Sequence, residues 1–252
     1  MSRSLFWLSD EACAAIEPHL PSHQPGARRV DDRRVISGII HMLKCGGRWA
    51  DCPSEYGPST TVYNRWSRWS RQGICTGILA ALTEEGWLAE TGQIDSSYIK
   101  AHRSAGGAKG GRGPMPLASR ARGRTTTIHA LVDVLGRPLR LVLTPGNTSD
   151  VKGADLLIGE RIGMKRIIAD RDDDANRIRA ALRAQGTIPV IPGRRSRKRP
   201  IQYDERRYKD RWRVEAMFCR LKDFRRIATR YDKLAANYLA SVQLAAIVAF
   251  WL

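Results

Sequence analysis

The chain has 252 residues, enough for one large domain or two smaller ones around a sizeable core. Its 43 lysines and arginines against 25 aspartates and glutamates give a formal net charge of +18, which predicts a polyanionic partner, with nucleic acid favoured over a membrane. No signal-like leader opens the chain and its most apolar run, 241–252, is too short to span a bilayer, so a cytosolic protein is expected.

In chain order, Ser9 caps a short predicted helix, Asp10–Glu17, which ends near Pro18 and Pro21. After a polar loop, Asp31 or Asp32 caps a second helix with Val35, Ile36, Ile39, Ile40 and Leu43 on one face, stopped by Gly46 and Gly47. A third helix starts at Ser59. Its Val62, Trp66 and Trp69 share an apolar side, while Asn64, Arg65, Arg68 and Arg71 project elsewhere as candidate DNA contacts or as a solvated basic face. Gly73 ends it, a fourth helix runs over about Ile74–Glu85, and Gly86 with Thr91 and Gly92 marks an expected domain boundary.

The second region begins with a predicted strand, Gln93–Lys100, and a hairpin of Thr125–Val134 and Pro138–Leu143 across Leu135 and Gly136. The Gly- and Arg-rich segment 102–124 lacks a phosphate-loop pattern and is expected to be a loop that orders on a phosphate backbone. Helix Asp150–Glu160, strand Lys165–Ala169, helix Asp174–Gln185 and strand Thr187–Ile191 follow, then GRRSRKRP as a solvent-facing cationic loop. A last helix starts near Asp232. Three antiparallel strands followed by alternating helices and strands predict a mixed α/β fold, its sheet covered by helices.

The stretch Tyr208–Lys222 carries polar residues at helical spacing. On one continuous helix Tyr208, Arg211, Glu215 and Lys222 fall within roughly 60° of one another, about 120° from an apolar stripe of Val214, Met217, Leu221 and Phe224. By itself this reads as a surface charge face. Two strands upstream each deliver an aspartate, Asp95 and Asp170, and with Glu215 they can converge on a pair of hard, oxygen-seeking divalent cations. Other candidates are weaker: Asp133 faces the hairpin turn, Asp150 reads as a helix cap, and His102 or His129 would be needed only by a histidine-based nuclease. Five scattered cysteines form no C-x-x-C pair, and His41, Cys45 and Cys52 read as buried residues in preference to a zinc site.

Tyr208, two residues, Arg211, three residues, Glu215, six residues, Lys222 matches the Y-R-E-K signature, and the whole order resembles the IS4/IS5-type DDE transposases of bacteria. DSSYIKAHRSAGG, GRTTTIHALVDVLGRPLRLVLTPGNTSD, IIAD and FCRLKDFRRIATRYDKLAANYLA are similar to IS5-family phrases, as are DEACAAIEPHLP and GGRWADCPSEYGPSTTVYNRW near the N-terminus. The resemblance covers nearly the whole chain. It implies a helical, helix-turn-helix-like DNA-binding domain over 1–88 and a ribonuclease H-like catalytic domain over 89–252. It also implies that Asp95, Asp170 and Glu215 bind two Mg²⁺ ions, with Mn²⁺ as a substitute, Asp95 bridging them.

In the implied reaction the enzyme cuts the terminal inverted repeats of its element and joins them to target DNA. Arg211 and Lys222 would position phosphate, Tyr208 would contact DNA or buttress the site, and a homodimer on double-stranded DNA near the nucleoid is expected. One departure stands out: Asp172 and Asp173 occupy places where the family has a small residue and an aromatic. The added negative charge favours one alternative, a non-catalytic DNA-binding copy, and a metal-dependent nuclease without strand transfer is a third reading.

Overall fold

The computed structural model describes residues 4–21, 31–86, 90–106, 118–120, 123–159 and 163–252. The expected phosphate-ordering loop therefore falls largely outside the described residues, at 107–117 and 121–122.

Four helices open the fold. In α1 (Asp10–Ile16) the Ser9 hydroxyl accepts from the Ala12 amide at 3.1 Å, and in α2 (Asp32–Cys45) the Asp31 carboxylate accepts from the Arg33 amide at 2.9 Å, so both begin on side-chain caps. Gly46 ends α2 at φ 76°, and a Cβ there would also lie 2.7 Å from the Arg225 side chain. α3 (Ser59–Gln72) and α4 (Ile74–Gly86) follow with only Gly73, also left-handed, between them.

The sheet is built from β1 (Thr91–Ala101), β2 (Ala118–Arg120), β3 (Gly123–Val132), β4 (Pro138–Pro145), β5 (Arg166–Ile168), β6 (Ile188–Val190) and the short β7 (Thr229–Arg230). β3 pairs antiparallel with β1, β2 and β4, whereas β5 runs parallel to β1 and β6 parallel to β5. The mixed sheet was expected. Thr91 and Gly92 open β1 and pair with Arg166 and Ile167, and a Cβ on Gly92 would meet Met164 Sδ at 2.1 Å. That glycine serves close packing.

The helices are α5 (Asp150–Ile158), α6 (Asn176–Ala184), α7 (Glu205–Tyr208), α8 (Trp212–Lys222), α9 (Arg225–Ala228) and α10 (Ala235–Phe250). The expected single helix over 208–222 is divided: α7 stops at Tyr208 and a 3₁₀ turn over Lys209–Arg211 precedes α8. Tighter winding there rotates Tyr208 away from the wheel that carries Glu215 and Lys222, while Arg211 still meets Glu215 at the i,i+4 spacing. Among the described residues no helix is long and apolar enough to cross a membrane.

Alternation along β1 sorts the core into two clusters. Ile99 joins Ile128, Ala130 and Val132 under α8 and α10, in one continuous core with Ile39, Trp66 and Leu79 of the N-terminal helices. Ile94 and its cross-strand partner Leu131 face the other way, onto Ala154 and Leu157 of α5 and Ile178 and Leu182 of α6. The N-terminal helices thus share apolar packing with α8–α10, although sequence alone suggested a boundary near residue 88.

Candidate active site

Parallel pairing places Gln93 opposite Ile168, so Asp95, within β1, and Asp170, two residues past the C-terminal end of β5, emerge side by side. This is where open parallel sheets present functional groups. Gln93 Oε1 accepts from the Val214 amide at 3.2 Å, which fixes that face of β1 toward α8. By the period of two, Asp95 looks the same way.

The aspartates are oriented alike. Asp95 Oδ1 accepts from the Ser96 amide at 2.8 Å, and Asp170 Oδ1 caps the following turn by accepting from the Arg171 amide at 2.5 Å. Each second oxygen is left for a cation. Arg211 Nη2 meets Asp95 Oδ2 at 3.0 Å and Asp170 Oδ2 at 3.1 Å, while Nη1 donates to Glu215 Oε1 one helical turn away. The structure brings the three predicted carboxylates together around a single guanidinium.

Electrostatics follow from burial. Desolvation raises the pKa of Asp95 despite the lowering effect of Arg211 and the Ser96 amide, with Asp170 and Glu215 adding repulsion. Asp173, only 4 % exposed, is pushed up to about 7 by burial and by the charges of Asp150, Asp95 and Asp170. Burial also raises the Tyr208 hydroxyl, and nearby Asp170 adds to the effect. Tyr208 packs edge-on against Tyr203, with ring centroids 5.5 Å apart, beside the site. Lys222 is exposed at the end of α8, about 10 Å along the axis from Glu215 at helical rise.

The cavity at the strand ends has a volume of about 280 Å³ and is lined by Asp95, Asp150, Asp170, Asp172 and Asp173 together with His129 and Arg211. Asp150 was expected to cap α5. Instead Ser149 is the cap residue, and Asp150, in the first turn, accepts from the Ser96 hydroxyl at 2.7 Å. Sequence reasoning missed Ser96 and Asp150 because their elements lie 54 residues apart. His129 is buried against Gly153, hydrogen-bonded to Thr144 Oγ1 at 2.8 Å, and lowered in pKa by burial, so it is a neutral wall residue. His102 is exposed and paired with Ser104. Asp133 does face its turn, accepting from the amides of Leu135 and Arg137 at 2.9 Å each.

The donor chemistry fits hard divalent cations: three carboxylates present outward oxygens to one shared positive charge, and the guanidinium stands in for a cation. Among the described residues no group of three or more His, Cys, Asp and Glu side chains is arranged to hold an ion as it stands, because Arg211 spaces the carboxylates. The His41 and Cys45 contact, 3.4 Å, likewise makes no such group with Cys52. Arg211→Ala is therefore expected to lower metal-free stability by about 2 kcal/mol through unbalanced carboxylates. Millimolar Mg²⁺ should restore the melting point in a thermal-shift experiment; loss of stability indifferent to Mg²⁺ would point to packing alone.

The candidate DNA face of α3 is smaller than expected. Asn64, Arg68 and Arg71 are exposed, but Arg65 is turned inward, with its guanidinium 2.5 Å from Asp32 and over the Trp69 ring. Packing α3 on α2 puts that position in the interface. Arg68→Ala should weaken binding to end DNA about three- to tenfold, losing one phosphate contact, and flatten its salt dependence. An electrophoretic shift titration at two salt concentrations measures both; unchanged affinity would remove this helix from the DNA surface.

The cationic loop is also less free than expected. Arg194 donates to the Asp172 carbonyl at 2.5 Å and Arg197 to the Asn176 and Asp174 side chains at 2.9 and 2.7 Å, leaving Arg195, Lys198 and Arg199 exposed.

Residues 87–250 match the family model described as the transposase DDE domain, and residues 8–79 match one for transposases assigned to the IS4/5 family. The chain is 39 % identical over 125 residues to the transposase assigned to insertion sequence element IS6501 of Brucella ovis, covering 48 % of this chain and 94 % of that one. It is 33 % identical over 134 residues to the transposase assigned to IS402 of Burkholderia cepacia, covering 49 % and 61 %. Among solved structures, the piggyBac transposase in a synaptic complex with hairpin DNA is similar in fold, with TM-score 0.50 and 10 % identity over 95 % of this chain and 70 % of that one.

Proposed function

This chain belongs to the DDE transposase family, and from that premise we propose that it mobilises an insertion sequence using Asp95, Asp170 and Glu215 to hold two divalent cations, Mg²⁺ or Mn²⁺, at the ends of its DNA. The carrying observation is the convergence of an aspartate within β1, an aspartate just past β5 and a helix-borne glutamate on one positive charge. Bound ions would supply Lewis acidity, making a water or 3′-hydroxyl nucleophilic and offsetting charge on the leaving oxygen.

The protein's own groups provide the frame. Backbone amides hold Asp95 and Asp170 by one oxygen each, so their other oxygens are aimed before any ligand arrives. Glu215, more exposed on α8, keeps rotamer freedom to adjust. Arg211, once the carboxylates have another counter-charge, can turn its fork toward a phosphate oxygen. Lys222 reaches backbone further along the duplex, and Tyr208 flanks Asp170. Asn64, Arg68 and Arg71 would grip the end DNA, and dimerisation would bring two ends together. Residues 1–88 would be the end-recognising part and 89–252 the catalytic part.

Purified protein incubated with its element's end DNA and Mg²⁺, then resolved on a denaturing gel, should give nicks at the element boundary and joined products. Cuts without joining would make it a nuclease. Binding without cuts in Mg²⁺ or Mn²⁺ would make it a DNA-binding copy.

A further inference from the structure

Gln93 stands where the three elements that carry the candidate triad meet. On β1 it lies two residues before Asp95, and its register partner on β5, Ile168, lies two residues before Asp170. Toward α8 its Oε1 accepts from the amide of Val214, the residue before Glu215, at 3.2 Å. One residue thus ties together all three carriers.

The bond falls where α8 needs it. Val214 lies in the first turn, whose amides lack acceptors within their own helix, and the cap position, Arg211, provides no side-chain cap. Gln93 supplies an acceptor from the strand. Val214 follows Arg211 by three residues and precedes Glu215 by one, so holding its amide seats the turn that carries both.

Glu215 depends on that seating more than the aspartates do. The carboxylates of Asp95 and Asp170 are each held by a neighbouring backbone amide, whereas among the described residues Glu215 is held by Arg211 alone, with its side chain 54 % exposed. Its distance from the aspartates is therefore set by how α8 sits on β1.

Packing does not account for the choice of side chain at position 93. Gln93 is fully buried, its cross-strand partners Val132 and Ile168 are aliphatic, and among the described residues its Nε2 has no hydrogen-bond partner. Buried amides ordinarily pair at both ends. What Gln93 contributes, and an aliphatic residue would not, is the acceptor for Val214.

We propose that Gln93 is a positioning residue, which sets the place of Glu215 against Asp95 and Asp170 by docking the first turn of α8 onto β1. The inference rests on reading those three carboxylates as a metal centre.

Free Mn²⁺ is followed by electron paramagnetic resonance during titration of the full chain without DNA, and single-turnover cleavage of end DNA is read beside it. Gln93→Met keeps the length of the side chain and removes the amide oxygen. It is expected to raise the Mn²⁺ dissociation constant about fivefold or more and to slow cleavage at saturating metal about tenfold or more, with end-DNA affinity within about twofold of wild type. Gln93→Glu keeps an acceptor oxygen at the same reach and replaces only the nitrogen that has no partner, and burial favours its neutral form. Mn²⁺ affinity should then return to within about twofold of wild type, as the rescue of one positioned ligand requires. Where the chain binds DNA without cutting it, the Mn²⁺ titration alone decides.

A merely structural role would lower the melting temperature and leave the metal affinity of the folded protein where it was. If Gln93→Met fails to fold, Gln93→Leu is read by the same thresholds. A smaller rise in Gln93→Met, or no recovery in Gln93→Glu, with Mn²⁺ binding lost in Asp95→Asn, would overturn the inference and leave the triad standing. Mn²⁺ binding unchanged in Asp95→Asn would overturn the triad reading and this inference with it.

Discussion

Asp95→Asn should reduce strand cleavage by at least about 10³-fold, equivalent to roughly 4 kcal/mol of transition-state stabilisation, while affinity for end DNA stays within about twofold. The amide keeps the size of the side chain and can still accept from the Ser96 amide through its oxygen. What it loses is the anionic Oδ2 that now meets Arg211 at 3.0 Å. Loss of one negative charge cannot weaken attraction to phosphate, so binding serves as the internal control. Single-turnover cleavage of labelled end DNA, paired with a filter-binding titration, reads both quantities. Persistence of cleavage, or a parallel loss of binding, would contradict the assignment. Glu215→Gln should behave alike, since its oxygen completes the same constellation from α8.

Asp174→Asn should be among the most destabilising single changes in the chain, at about 3–5 kcal/mol, because it breaks a buried ion-pair network from one side. The carboxylate is 3 % exposed, and accepts from Arg179 Nε at 2.8 Å, from the Arg194 amide at 2.7 Å and from Arg197. Arg179, equally buried, would keep its bond to the Ile191 carbonyl but lose its counter-ion. Urea unfolding would measure the loss, with a change below about 1 kcal/mol counting against the network.

The same site predicts a pH dependence. Burial alone would raise the Asp174 pKa, yet the bonds from Arg197, the Arg194 amide and Arg179 outweigh it and hold the group well below its usual value. A depressed folded pKa means that the stabilisation is fully present above the unfolded value, near 4, and is lost as pH falls below it toward the folded value. Wild-type stability should therefore drop in that acid window, and the Asn variant should lose this component of the slope.

Asp174 also joins two features that sequence reasoning treated apart. The cationic loop around Arg194 and Arg197 was expected to face solvent, but the two arginines converge on the turn that carries Asp172 and Asp173. The run of acids after Asp170 and the run of bases after Gly193 are partly each other's partners. Nothing in their separation of some twenty residues announces this, because a pairing across a βα unit depends on how strand and helix fold back.

Much of the site was legible before any coordinates. Two short β-prone segments identified the strands that deliver Asp95 and Asp170, and the spacing of Glu215 from the apolar stripe put it on an amphipathic helix. Caps at Ser9 and Asp31 and stops at Gly46 and Gly73 could be read directly, since capping is a contact between near neighbours in the chain.

The failures have a common cause. Arg65 satisfied the same helical arithmetic as Arg68, yet only the packing of α3 on α2 decides which of them meets Asp32 and which meets water. Arg211 belonged to the predicted polar stripe, but the 3₁₀ turn before α8 and the strand register of β1 with β5 decide that it faces three carboxylates. Local sequence determined which residues form helices and strands and which carry charge, because propensity, capping and periodicity act within a few residues. The tertiary structure alone decided which charges are paired and which are buried, because those depend on contacts between segments far apart in the chain.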